Sequence, residues 1–230
     1  MESISLQTGL TSEISYVALV AGKAAAAQLM RGFTSVRDVG GNCFALKRAI
    51  DEGIVIGPRI YPSGGGISQT SGHGDFRLPT DVPRDRTTPS VYIERVGMTY
   101  VADGVDEVLL RTRENLRAGA TQIKLMAGGG VASDYDPLDV TQYTLEEIQA
   151  AVKAAANWGT YVTVHAYTPD AMQMAIKAGV KCIEHGNMAD EETAKLMAEG
   201  KIWWCLQPFL EDEDSIPFPE GSPNRAKQLL

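Results

Sequence analysis

The chain has 230 residues, 44% of them hydrophobic and 22% charged, with 23 Gly and 11 Pro; this globular composition excludes collagen-like, low-complexity and disordered classes. Its 21 Lys and Arg against 29 Asp and Glu give a net charge of −8, which argues against a nucleic-acid partner held on a basic surface. Three scattered cysteines, Cys43, Cys182 and Cys205, make neither a disulfide scaffold nor a paired-cysteine zinc site. The early apolar stretch 16–30 is interrupted by Lys23 and Gln28 and does not span a bilayer. Met1 is followed by Glu-Ser-Ile-Ser rather than a basic and then apolar leader. One domain over 1–230, cytoplasmic and without a membrane partner, is the expectation.

In chain order, an Ala-rich helix over about 16–31 ends at Gly32, and the run 34–39 (TSVRDV) follows as a strand. A second strand is expected over 59–63, after Gly57-Pro58. The segment 64–100, polar and rich in Gly, Pro and Arg, reads as a long loop with a short helix. Gly119, Gly159, Gly179 and Gly200 then close helices, each followed by a β-rich run: TQIKLM, YVTVHAY, KCIEHG and IWWCLQ. Gly suits the left-handed position just past a helix, and the apolar, β-branched runs read as buried parallel strands. Thr144 and Glu147 form a capping box that opens the helix 144–158. Pro169 opens the next helix and Asp190 caps the one after it. Alternating strands and helices, with six strands in all, mean an α/β fold with a parallel sheet, closed as a barrel or open and doubly wound. The dinucleotide-binding G-x-G-x-x-G does not follow the first strand, where Asp38-Val39-Gly40-Gly41 stands.

The chemistry-bearing residues share a place in this pattern. Asp38, His165 and His185 each come six residues after a helix-ending glycine, and Lys124 comes five after Gly119. All four are expected near the C-terminal ends of their strands, where barrel active sites are built. Imidazoles suit zinc and related divalent ions, whereas an ammonium repels a cation.

The motifs GFTSVRDVGG (32–41), GPRIYPSGGGISQTSGHGD (57–75), IKLMAGGGV (123–131), VTVHAY (162–167) and IEHG (183–186) together resemble the amidohydrolase superfamily. Within it they are most similar to the imidazolonepropionase-related branch of Xaa-Pro and Xaa-Arg dipeptidases and ochratoxin-type amidases. The resemblance implies a (β/α)8 TIM barrel with a binuclear centre of zinc or another divalent metal. Lys124, carboxylated by CO₂, would bridge the metals, and His165 and His185 would hold the more exposed one. His73 and Tyr167 would contact a substrate carboxylate or the reacting carbonyl of a small amide or dipeptide. A metal-activated hydroxide would attack the amide carbon.

Such a barrel opens on a strand bearing an HxH pair and closes on one bearing a catalytic Asp. The three histidines of this chain are His73, His165 and His185, so the expectation is a fragment holding strands 2 to 7. Strands 1 and 8 and the accessory β-sandwich would be absent, metal binding weak or absent, and hydrolysis negligible. Strands 2 and 7 would be open edges inviting homo-oligomers. The acidic run 211–214 is expected to be solvated rather than a substitute for the catalytic Asp. Two rivals stand beside this reading: a Schiff-base aldolase using Lys124, with Gly128-Gly129-Gly130 as a phosphate cradle, and a non-catalytic binding or assembly piece. Trp203 and Trp204 are expected to pack in their strand, Met172, Met174 and Met197 to fill the core, and Cys182 and Cys205 to be buried and inert. Asp38 is read as orienting its neighbours or bonding Arg37 or backbone, and Arg59 and Arg77 as able to meet a carboxylate.

Overall fold

The sheet is parallel throughout its named strands, and its curvature follows the chain. The computed structural model describes residues 5–85, 87–207 and 218–229; the run 211–214 lies outside them. Helices α1 (Leu6–Thr11) and α2 (Ile14–Met30) lead into β1 (Ser35–Asp38), α3 (Phe44–Asp51), β2 (Arg59–Pro62) and β3 (Gly66–Ser68). Then come α4 (Tyr92–Arg95), β4 (Thr99–Val101), α5 (Gly104–Ala118), β5 (Ile123–Met126), α6 (Leu145–Asn157) and β6 (Val162–Ala166). The chain closes with α7 (Pro169–Ala178), β7 (Cys182–His185), α8 (Glu191–Glu199), β8 (Trp203–Cys205) and α9 (Pro223–Gln228).

β1 pairs with β2, and β4-β3-β5-β6-β7-β8 form a second parallel sheet. The two join because β2 and β3 are halves of one bent strand. At the bend Gly64 has φ of 74°, and a Cβ there would lie 2.4 Å from Asn115 Oδ1. The Thr121 N–H donates to the Pro62 carbonyl at 2.8 Å, so β2 also abuts the start of β5. All six predicted strands are present, in an arc covering part of a (β/α)8 barrel.

Four expectations are corrected. The segment 64–100 is not mainly loop: it carries β3 and β4 as well as the short helix α4. Strands of three residues are too short to show a period. Gly200 does not take the left-handed position; its φ is −76° and Lys201 takes it at 52°. β8 is not buried: all three residues are exposed, Trp203 at 78% and Trp204 at 38%, and Cys205 is exposed with them. Its one strand neighbour among the described residues is β7, so the other side lacks the packing that would bury it. Cys182, Met172 and Met197 are buried, and Met174 packs against the core.

Strand alternation decides where the core lies. Ile123, Leu125, Val162, Val164 and Ile183 are fully buried together with Ile148, Ala151, Met172 and Ala175 of α6 and α7. Each large side chain so buried contributes about 1.5–3 kcal/mol. The alternate positions, Lys124, Thr163, His165 and Glu184, therefore face the other side of the sheet, into the barrel.

Two helix N-termini are tied by one carboxylate. Glu147 accepts the Thr144 N–H and the Gly104 N–H, both at 2.7 Å, completing the capping box of α6 and binding it to α5. Replacing Glu147 by Ala is expected to lower unfolding free energy by about 1–2 kcal/mol, read as a lower urea midpoint at unchanged m-value.

Candidate active site

The register places the candidate residues on a staircase rather than at one height. Lys124 lies opposite Thr163, His165 opposite both Met126 and Glu184, and His185 opposite Ala166. The side chains nevertheless converge. The His165 and His185 rings meet edge-on with centroids 4.8 Å apart, and Tyr167 lies 4.8 Å from His165 and 5.4 Å from His185. His73, from the loop after β3, stacks on His165 at 4.1 Å and 17°.

His185 reaches this cluster by a local backbone device. Glu184 occupies the inward position of β7, so an extended His185 would point outward to the helices. Instead His185 has φ of 72°, an unusual conformation for a non-glycine residue that costs on the order of 1 kcal/mol. Such strain concentrates where a side chain must be aimed.

Below the imidazoles lies a buried charged layer. Arg37 of β1 crosses the barrel to Glu184 with a forked contact, Nη1–Oε1 at 2.9 Å and Nη2–Oε2 at 3.2 Å. The Thr163 hydroxyl donates to Glu184 at 2.5 Å. Burial acts to raise the Glu184 carboxyl, but Lys124, Thr163 and Arg37 outweigh it and hold the carboxyl down at about 2. Burial pulls the Lys124 amine down to about 8 against the attraction of Glu184. Burial also drives His165 well below its ordinary value, and His185 to about 3, with Lys124 acting in the same direction. Both rings are therefore neutral at pH 7.

The glycine run sets the imidazoles. His165 Nε2 lies 2.9 Å from the Gly129 carbonyl; a carbonyl only accepts, so Nε2 carries the proton and Nδ1 keeps a lone pair. The N–H groups of Gly129 and Gly130 are donated to the Val140 carbonyl and to Asp136. They are spent, so the run is no phosphate cradle and the aldolase reading loses its second element.

The smaller readings sort out as follows. Asp38 accepts the Gly40 N–H at 3.3 Å, and burial raises its carboxyl to about 6. Arg37 pairs with Glu184 instead of Asp38. Arg77 meets the carboxylate of Asp75, two residues earlier, while Arg59 is exposed. Glu184 is the main omission of the sequence reading. The signal was there, because an Arg and a Lys inside strands call for an anion and Glu184 is the acid inside the later strands. Asp136 and Ser133, which hold His73, had no such signal among the acids of 134–139.

Two neutral imidazoles whose ring centroids lie 4.8 Å apart are donors of the kind a divalent ion takes. Among the described residues no group of three or more His, Cys, Asp or Glu gathers to hold a metal, so a second ion finds no set of its own there.

Known proteins share this framework. The Amidohydrolase family profile matches residues 4–204. Ochratoxinase of Aspergillus niger is 39% identical over 178 residues, 76% of this chain and 37% of that protein. A prolidase complexed with N-methylphosphonate-L-proline is 41% identical with a TM-score of 0.87, over 98% of this chain and 55% of that one. A Xaa-Pro dipeptidase with bound methionine is 35% identical with a TM-score of 0.72, over 85% and 47%. The chain thus spans about half the length, or less, of these relatives.

Two outcomes check the electrostatics. Glu184→Ala leaves Arg37 and Lys124 without their anion, and a loss of about 3 kcal/mol is expected in urea unfolding. Histidines held neutral in the fold but not in the unfolded chain make stability fall with pH. The loss starts near 6.5, where the unfolded rings take up protons that the folded ones refuse. Glu184 adds a further loss below about 4.5, continuing toward its folded value of about 2. His165→Gln is expected to flatten the slope between pH 6.5 and 5 in a urea series.

Proposed function

The chain belongs to the amidohydrolase family, and we propose that it carries the central part of the active site of a metal-dependent hydrolase that cleaves an amide or peptide C–N bond beside a free carboxylate. The observation that carries this reading is the meeting of His165 and His185, 4.8 Å apart at the ends of adjacent strands, above a fully buried lysine whose amine is held at about 8. The relatives support the substrate class: one structure holds a proline phosphonate, another methionine, and a third relative is an ochratoxinase.

Lys124, His165 and His185 are the residues that would hold a divalent ion, zinc or another. When bound, such an ion polarises a carbonyl and lowers the pKa of water. The chain's own groups do the rest. Burial keeps both imidazoles unprotonated and able to ligate. The lowered Lys124 amine is readily neutral, the form that reacts with CO₂. Glu184 balances Arg37 beneath them. His73 and Tyr167 line the space beside His165 and would meet the substrate, the Tyr167 hydroxyl remaining protonated because burial raises it to about 12.

With three histidines in its 230 residues, the chain taken alone is expected to retain little metal and to hydrolyse amides negligibly. Elemental analysis after expression with zinc and bicarbonate checks the first point. Near-zero metal fits, and about two ions per chain would overturn it by showing that donors arrive in trans. The exposed edges β1 and β8 are expected to drive self-association, seen as species larger than a monomer in analytical ultracentrifugation.

The hydrolase reading itself is tested by a chimera in which the segments of Aspergillus niger ochratoxinase flanking the matched 178 residues are fused to this chain. A folded, metal-loaded chimera should cleave N-acyl amino acids, and Lys124→Ala should lower that rate by at least about 10³-fold. A folded, loaded chimera that cleaves none of a panel of N-acyl amino acids and dipeptides would sink the proposal.

A further inference from the structure

His73 is held by a buried unit whose hydrogens can be counted. The Asp136 side chain is fully buried, and its carboxylate only accepts. It takes the Gly130 N–H on Oδ2 at 2.6 Å and the Ser133 hydroxyl on Oδ1 at 2.6 Å, and Oδ2 lies 3.2 Å from His73 Nδ1. Ser133 has one hydroxyl hydrogen, and Asp136 receives it. The 2.8 Å contact between Ser133 Oγ and His73 Nδ1 therefore has the ring nitrogen as donor. Both neighbours of Nδ1 require a proton there.

The stacked partner is set the opposite way, since His165 Nε2 donates to the Gly129 carbonyl. The loop thus fixes two rings 4.1 Å apart with the required proton on opposite nitrogens, Nδ1 of His73 and Nε2 of His165. Gly130 is needed for the approach: a Cβ there would lie 2.3 Å from His73 Cε1. The loop is clamped in turn by α9. Lys227 donates to the carbonyls of Gly130 at 3.1 Å and Ser133 at 2.7 Å, and Asn224 donates to that of Val131 at 2.8 Å.

We propose that Asp136, acting with Ser133, is a positioning residue that holds a proton on His73 Nδ1 and so turns the Nε2 edge of the ring to the substrate. The role toward substrate rests on the hydrolase reading above, in which His73 meets the substrate.

The test uses the 230-residue chain labelled with ¹⁵N-histidine, in a long-range ¹H–¹⁵N spectrum at neutral pH with neither metal nor substrate added. With three histidines in the sequence, His73 is assigned as the signal set lost in His73→Gln. The expected pattern is Nδ1 in the protonated range for His73 and in the unprotonated range for His165. Asp136→Asn, with folding checked by thermal melting, should shift the His73 Nδ1 signal toward the unprotonated range while His165 keeps its pattern. A wild-type His73 with an unprotonated Nδ1 overturns the proposal. So does an unchanged His73 pattern in both Asp136→Asn and Ser133→Ala. Should Asp136→Asn fail to fold, the wild-type spectrum decides alone. A failed chimera alongside the expected spectrum would discard the hydrolase and keep the lock.

Discussion

A single carboxylate, that of Glu184, reconciles a half-buried arginine and a buried lysine with the interior of the barrel. Arg37 and Lys124 come from strands on either side of the bent β2–β3 strand; Glu184 pairs with Arg37 and attracts Lys124 electrostatically from β7. Without it the Arg37 contact would be lost and the Lys124 charge would have no compensating anion. With it, the forked Arg37 contact ties β1 across the barrel to β7. Glu184 also fills the inward position of its strand, which is why His185 has to be delivered by a left-handed residue. The charge layer and the aim of the imidazole are therefore one constraint.

Above that layer, the loop after β5 works through close approach. Gly129 and Gly130 let the backbone come within bonding distance of the aromatic cluster. A Cβ on Gly129 would lie 1.8 Å from the Pro137 carbonyl oxygen. The loop turns the Gly129 carbonyl to His165 and the Gly130 N–H to Asp136, so His165 is set by a backbone group and His73 by the Asp136 and Ser133 side chains that the loop holds. Lys227 and Asn224 brace that loop from beyond residue 204, where the family match ends.

The outer face of the sheet and the inner face answer to different physics. Outside, Ile, Leu and Val bury against α6 and α7 and supply the stabilising area. Inside, Glu184 is kept charged by Arg37, Lys124 and the Thr163 hydroxyl, and His165 is held by a backbone carbonyl.

Much of this was legible in the sequence. Glycine-punctuated helices and β-rich runs mark six of the eight strands, because local backbone preference and apolar patterning act over neighbouring residues. The positions of His165 and His185 toward the ends of their strands follow from the same spacing, whereas Lys124 stands second in β5 rather than at its C-terminal end, and the ordered motifs identify the family. Other features depended on residues far apart in the chain. The exposure of Trp203, Trp204 and Cys205 turns on whether β8 has a second neighbour. The pairing of Glu184 with Arg37 spans 147 positions, and His73 meets Asp136 across 63. The sequence determined which elements form and which chemistry they carry, since those are short-range properties; the tertiary structure alone decided which charge meets which and how each imidazole is turned, since those require distant strands to close into one arc.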